Sequence, residues 1–523
     1  MMNRDTYTGI CACLVCVAIA GLTTHRAMAD VRLPHIFCNN MVVQCDISVP
    51  VWGWASPGEQ VVVKFGTSQV KTTTNAQGEW IVKLPAQKAG EPRRLEVAGK
   101  NSITLDNVLV GEVWLCSGQS NMQMGIASCD GAQEEIAKAN YPDIRLFVVG
   151  LAASGEPQSD CRGEWRVCTP EALLGSGAWP VFSAAAYYFG RDIHLALKTP
   201  VGLIQSAWGG TRIEPWTPPA GFAQAPELND ISLSIEDANR TYRNTLQPKL
   251  DEIGAWVKDS KKAIQDGAPI PPRPQWPKHP LDSDPLITPN PLTTTSLYNG
   301  MIRPLAPFAL RGAIWYQGEG NVADRSRYAE KMKALIGGWR AAWNEGEFPF
   351  YYVQIAPLPG YETNTLPLMW DAQLAALAIP NTGLASTQDI ADLNDIHPKN
   401  KLDVGKRLAR WALAKTYGKK DIVCSGPIYR AMNVKGNKVR ISFDYVGSGL
   451  MSRDNQPLTW FTIAGQDRKF VPAQAEIEKE NIVVWSDSVA APVAARFAWD
   501  RVAQPNLMNK DSLPALPFRT DRW

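Results

Sequence analysis

Ser120 and His397 are the residues of this chain whose types and surroundings best suit chemistry. Ser120 stands in GEVWLCSGQSNMQMGI, residues 111–126, where the strand-forming Val113, Trp114 and Leu115 run straight into a small polar turn. Gly118 permits a tight turn, and Ser120 opens a segment whose free N–H groups can face negative charge. The same placement suits a serine that only caps a helix. A nucleophilic serine needs a base. Beyond residue 29 there are four histidines: His35, His194, His279 and His397. The first lies in a β-like stretch, the second in a helix-like run and the third in a proline-rich segment, and each reads as structural. His397 stands in DIADLNDIHPKNKLDVGKRLARWAL, beside Pro398 and after Asp389, Asp392 and Asp395, carboxylates that can orient an imidazole.

Acyl transfer also needs fixed donors for an oxyanion. SAWGGTRIEPW, 206–216, offers the Gly209-Gly210 pair, through which a backbone N–H can approach a reacting oxygen. WYQGEGN, 315–321, offers the amides of Gln317 and Asn321. Both stretches follow strand-like runs, as Ser120 does. Singly, each is an ordinary turn; together they form a set of polar, glycine-bearing loops at strand ends.

The elements that must position these loops change character along the chain. Residues 30–106 alternate apolar and polar in short runs such as QVVVKFG and EWIVKLP, a small β-sandwich in outline. From 107 to 417, runs such as VLVGEVWLC, DIRLFVV, PVGLIQSAW, ALRGAIWYQ and FPFYYVQIA alternate with helical stretches, the pattern of strands buried on both faces of a parallel sheet. In such folds ligands sit at the carboxyl edge of the sheet, where the Ser120 loop would lie. Residues 215–300 interrupt this with IPPRPQWPKHPLDSDPLITPNP, whose prolines exclude regular structure, and read as an inserted lid or rim. Residues 418–523 return to β-alternation.

At 523 residues the chain exceeds one core's reach, so several domains are expected. Fifty-three Lys+Arg against 51 Asp+Glu, with no basic stripe, give no sign of a nucleic-acid partner. Residues 1–29 carry Arg4, an apolar run from Ile10 to Leu22 and Ala27-Met28-Ala29, the layout of a secretory signal and too short to span a bilayer. The expectation is a secreted or periplasmic protein with no membrane partner after cleavage. Seven cysteines would remain, with Cys161 and Cys168 spaced for a short disulfide or for two unrelated buried thiols. Nineteen tryptophans suit both sugar stacking and ordinary cores.

SGQSNM, GLIQSAWGGTRIEPW, GAIWYQGEGN and DIHPKNK, with the N-terminal LPHIFCNNMVVQ and the C-terminal NLMNKDSLPALPFRTD, resemble the successive blocks of the sialate O-acetylesterase-like carbohydrate esterases of the SGNH-hydrolase superfamily. The resemblance spans nearly all of the chain beyond residue 29. It implies a flavodoxin-like three-layer α/β/α SGNH-hydrolase domain with accessory β-sandwich regions, no metal or other cofactor, and hydrolysis of sugar acetyl esters through an acyl-enzyme. By position, Ser120 matches the nucleophile and His397 the base, while the N–H groups of Ser120 and Gly210 with the Gln317 side chain match the oxyanion donors. The superfamily's acid lies three residues before the histidine, and that position here is Asn394. Asp395 is the first choice for the third member, with Asp392, Asp389, Glu319 or a simple dyad left open. Arg212 and Trp216 are the expected substrate contacts, with Trp276 on the inserted rim. The expected substrate is an acetylated plant oligosaccharide such as xyloglucan or xylan, since Arg212 is the one candidate clamp for a carboxylate. O-acetylated sialic acid is the alternative, and a non-enzymatic carbohydrate-binding protein the reading from a different class.

Overall fold

The computed structural model describes residues 30–175, 180–282 and 293–523. The secretory leader expected at 1–29 lies outside the described residues. The central sheet contains β1 (Ser102–Gly118), β2 (Tyr141–Val148), β3 (Trp165–Cys168), β4 (Val201–Ala207), β5 (Gly312–Tyr316), β6 (Phe350–Val353) and β7 (Thr382–Ala385). Their spatial order is β7-β6-β5-β1-β4-β2-β3. All neighbours are parallel except β3, which closes one edge antiparallel to β2.

Side-chain alternation in these apolar runs serves two cores at once. Val113 and Leu115 of β1 enter one cluster with Ala313 and Trp315 of β5, while Trp114 and Cys116 enter the other with Ile314 and Tyr316. Six helices matter to the site: α1 (Ser120–Gln123), α2 (Ala184–Leu197), α3 (Asn229–Gln265), α4 (Tyr328–Trp343), α5 (Thr365–Ala375) and α6 (Lys401–Trp411). Helices α4 and α5 cover the first face, α2 and α6 the second, giving the expected three layers. From β1 the chain moves outward to β2, returns through β4 beside β1, and then crosses to build β5, β6 and β7 on the other side. That reversal puts the carboxyl ends of β1, β4 and β5 around one crevice.

The accessory regions are continuous with this domain. The first half of β1 pairs with Gly90–Ala98 and Val42–Gln44, so one strand passes from the N-terminal β-layer into the central sheet. The boundary expected between 106 and 107 thus falls inside a single strand. The C-terminal region forms two four-stranded antiparallel sheets and a short two-stranded ribbon around a core that includes Ile441, Phe461, Phe497 and Phe518.

The insertion differs from expectation in its first half, where α3 spans 37 residues with Pro248 inside it. Few of its side chains are buried, and local ion pairs such as Asp237–Arg240 and Lys249–Glu252 dress its surface. Its anchor is Tyr242, whose hydroxyl donates to Glu156 and accepts from the Trp276 indole. The seven cysteines beyond residue 29 are free thiols, Cys161 and Cys168 among them, so the short disulfide loop is not formed.

Candidate active site

Ser120 is the first residue of α1, directly after β1. Gly118 makes this junction: its φ of +143° and the 2.1 Å that would separate an added Cβ from the Tyr316 carbonyl oxygen leave room for glycine alone. The His397 loop follows β7 and leads into α6, whose N-terminus is capped by the Asn400 side chain accepting from the Asp403 N–H. The two loops meet with His397 Nε2 2.9 Å from Ser120 Oγ. Asp395 Oδ1 accepts from the His397 N–H at 2.9 Å and lies 3.2 Å from Nδ1. Because a carboxylate only accepts, Nδ1 carries the proton and Nε2 is left bare to accept the serine proton. The His397 N–H, first, and then its ring hold the Asp395 carboxyl below its ordinary range, so it stays ionised. The His397 and Asp395 side chains are 36% and 39% exposed, which leaves the pair open to a substrate.

The other acids are placed elsewhere. Asp389 is committed to Arg407, Asp392 accepts from the Asn394 N–H in the turn before Asp395, and the Glu319 carboxylate accepts from Asn121. His35, His194 and His279 bond instead to Asp160, the Thr199 carbonyl and Asn239.

The Ser120 and Gly210 backbone N–H groups donate to no other group among the described residues. Gly210 has φ +74° and open space beside it. Gln317 departs from expectation: its Nε2 donates to Asn321 Oδ1 at 2.8 Å and to the Thr211 carbonyl at 3.2 Å, and its Oε1 accepts from Tyr328. Both amide protons are spent on bracing the loop, which leaves two free donors in place of three. Trp216 is a second correction. It is fully buried, packs edge-on against Trp315 and donates its indole N–H to Thr211, so no sugar can stack on it. Arg212 remains near the surface in a balanced cluster of two cations and two carboxylates, meeting Glu214 and Asp324 at 2.9 and 3.0 Å while the buried Lys331 shares both at 2.6 Å. Trp276 is exposed on the insertion.

Four further residues organise the site. Gln119 Oε1 accepts from the N–H groups of Gly318 and Gly320; Asn121 Nδ2 donates to Glu319 and the Ile396 carbonyl; Gln123 Oε1 accepts from the Gly209 N–H at 2.8 Å. The amides at 119, 121 and 123 thus tie the serine turn to each of the other three loops. Lys401 completes this support, donating from a buried position to Asn121 Oδ1 and the Pro398 carbonyl. Burial pushes its ammonium down to about 8 and, opposing Asn121 and Lys401, pushes the Glu319 carboxyl up. These polar residues crowd the motifs, but only the chain's folding shows what they reach.

Beside Gln123 opens a cavity of about 870 Å³, floored by Gln205 and Ala207 and walled by Leu151, Val181 and Arg162. Among the described residues no group of three His, Cys, Asp or Glu side chains is placed to hold a metal ion, and no helix is long and apolar enough to cross a membrane.

A family model described as carbohydrate esterase, sialic acid-specific acetylesterase, matches residues 284–414. Sialate O-acetylesterases of Rattus norvegicus and Homo sapiens are each 28% identical to this chain, covering 93% and 92% of it and 92% and 90% of their own lengths. The crystal structure of a carbohydrate acetylesterase from Xanthomonas citri superposes with a TM-score of 0.78 at 34% identity, over 94% of this chain and all of that one. Such a fold, with these relatives, defines a carboxylic ester hydrolase that acts on acetylated carbohydrate. The chain belongs to the sialate O-acetylesterase-like carbohydrate esterases.

Proposed function

We propose that the protein is an exported serine esterase that removes O-acetyl groups from sugars through an acetyl-enzyme, and that its substrates are neutral plant cell-wall oligosaccharides such as xyloglucan or xylan. The observation that carries the chemistry is the aligned set Ser120 Oγ, His397 Nε2 and Asp395, beside two unpaired backbone N–H groups. Ser120 Oγ attacks the acetyl carbonyl carbon as His397 takes its proton, and the oxyanion is held by the Ser120 and Gly210 N–H groups. Collapse breaks the bond between the acyl carbon and the sugar oxygen, which leaves with the proton from His397. Water, deprotonated by the same imidazole, then attacks the acetyl-serine and releases acetate. Residues 107–417 supply this chemistry, with an insertion at about 215–300, and the β-regions 30–106 and 418–523 are accessory.

A neutral substrate is favoured because Arg212 sits in a cluster in which Arg212 and Lys331 are balanced by Glu214 and Asp324, which offers a sugar acid little residual charge. O-acetylated sialic acid is favoured instead by Arg162, a cation on the wall of the cavity beside Gln123. The deciding measurement is kcat/KM on acetylated xyloglucan oligosaccharides against 9-O-acetylated sialic acid, for the parent and for Arg162→Ala. Higher efficiency on the neutral sugar, unchanged by the substitution, is expected; higher efficiency on the sialic acid, lost in Arg162→Ala, reverses the assignment. Ser120→Ala should abolish acetate release from both and from aryl acetates, and full activity in that variant overturns the mechanism.

A further inference from the structure

We infer that a second site, in the crevice between the N-terminal β-layer and the hydrolase domain, binds the backbone rings of a neutral polysaccharide; this rests on the substrate reading above and extends it from the acetyl group to the chain that carries it. Strands Val49–Trp54 and Glu79–Leu84 pair antiparallel, with Trp52 opposite Ile81 and Trp54 opposite Glu79. Directly opposed residues share a face. The inner face holds the buried Val51 and Val82, so those four side chains look outward. Trp52 packs edge-on against the buried Phe37 at 4.7 Å, and the Trp54 ring and Ile81, which is 50% exposed, are left at the crevice. The crevice above it has a volume of about 440 Å³, within the roughly 300–1,000 Å³ of small-ligand sites.

Its chemistry fits a sugar ring. Flat aromatic faces pack against the apolar C–H face of a pyranose, while equatorial hydroxyls need donors and acceptors at the edge. Those are present as Gln158 and Arg303 on the hydrolase side and Glu79 on the β-layer. Glu79 and Arg303 offset each other along the lining, while the Arg32 guanidinium lies over the Trp54 ring, 5.4 Å from its centroid, and leaves the indole's other face to the crevice. None of these residues takes part in the Ser120–His397 chemistry. The crevice is nevertheless tied to that chemistry, because the β2–β3 connection supplies Gly150, Leu151 and Arg162 to the cavity beside Gln123 and Pro157–Ser159 to this one. A chain held in the crevice raises the local concentration of its acetyl groups around Ser120.

Calorimetric titration of the full-length protein with deacetylated xyloglucan oligosaccharide separates binding from cleavage. The parent should bind; Trp54→Ala should bind about tenfold more weakly or less. Ile81→Arg, a change at a position that is 50% exposed, should do the same. Both variants should keep parental turnover of aryl acetates and show a raised KM on acetylated xyloglucan polymer. No binding by the parent, parental affinity in Ile81→Arg, or tighter binding of sialyllactose than of the neutral oligosaccharide overturns the inference. A parent that binds the deacetylated chain but does not deacetylate the polymer overturns the substrate reading and leaves this site standing.

Discussion

Asp395 meets the imidazole at 3.2 Å and shares the same oxygen with the His397 N–H, so this carboxylate orients the ring through the local backbone as much as through the ring itself. Asp395→Asn should lower kcat by about 10²- to 10⁴-fold, because an amide oxygen no longer stabilises the imidazolium. Asp392→Asn, which touches only the preceding turn, should stay near parental, and steady-state turnover of an aryl acetate checks both. Lys401 carries a pH signature of its own. Its folded value of about 8 lies below the 10.5 of an unfolded lysine, so between those pH values the unfolded chain binds the extra proton and the folded one does not. The burial penalty, about 3 kcal/mol, is therefore full below pH 8 and relieved as the pH rises toward 10.5. Compared with Lys401→Met, the parent should gain thermal stability across that window; a Tm difference that does not change with pH would show that Lys401 titrates normally.

At the scale of elements, the site depends on how closely β1 and β5 approach at their carboxyl ends. An added Cβ at Gly118 would lie 2.1 Å from the Tyr316 carbonyl oxygen, in a backbone conformation that side chains rarely adopt. Gly118→Ala should push the strands apart and displace the serine turn, lowering Tm by several degrees and acetate release by more than tenfold, measured by calorimetry and kinetics. Much at this scale was legible from sequence, because a strand that feeds a polar, glycine-bearing turn leaves a local pattern. The turns after β1, β4 and β5 and the loop after β7 lie where such patterns put them. What escaped was what each side chain reaches. Trp216 reads equally as a sugar platform and as core, and only the packing of Trp315 and Trp339 around it decides for core. Gln317 reads as a free amide until Asn321 and Thr211 are folded against it. Helix α3 leaves little signal of its own in the sequence, because few of its residues are buried and the prolines that follow it dominate the pattern of the insertion.

At the scale of the molecule, the C-terminal β-region acts on the site through the histidine loop. Arg453 donates to the Asp389 carbonyl and Gln504 to the Ala391 carbonyl, so two side chains from beyond residue 418 hold the stretch that ends at His397. Neither contact was readable locally, since each joins positions more than 60 residues apart. An exposed or half-buried hydrogen bond of this kind, from the neutral Gln504 amide or the charged Arg453 guanidinium, contributes about 1 kcal/mol net, and a loop loosened by the loss of both spends less time with Nε2 facing Ser120 Oγ. The double variant Arg453→Ala/Gln504→Ala should therefore lose about tenfold in kcat, with KM on a small aryl acetate within about twofold. Its Tm should fall only slightly, because the core around Phe461, Phe497 and Phe518 is untouched. Unchanged kcat would mean that the Asp389–Arg407 pair and the Asn400 cap hold the loop without help, and that the C-terminal region serves stability alone.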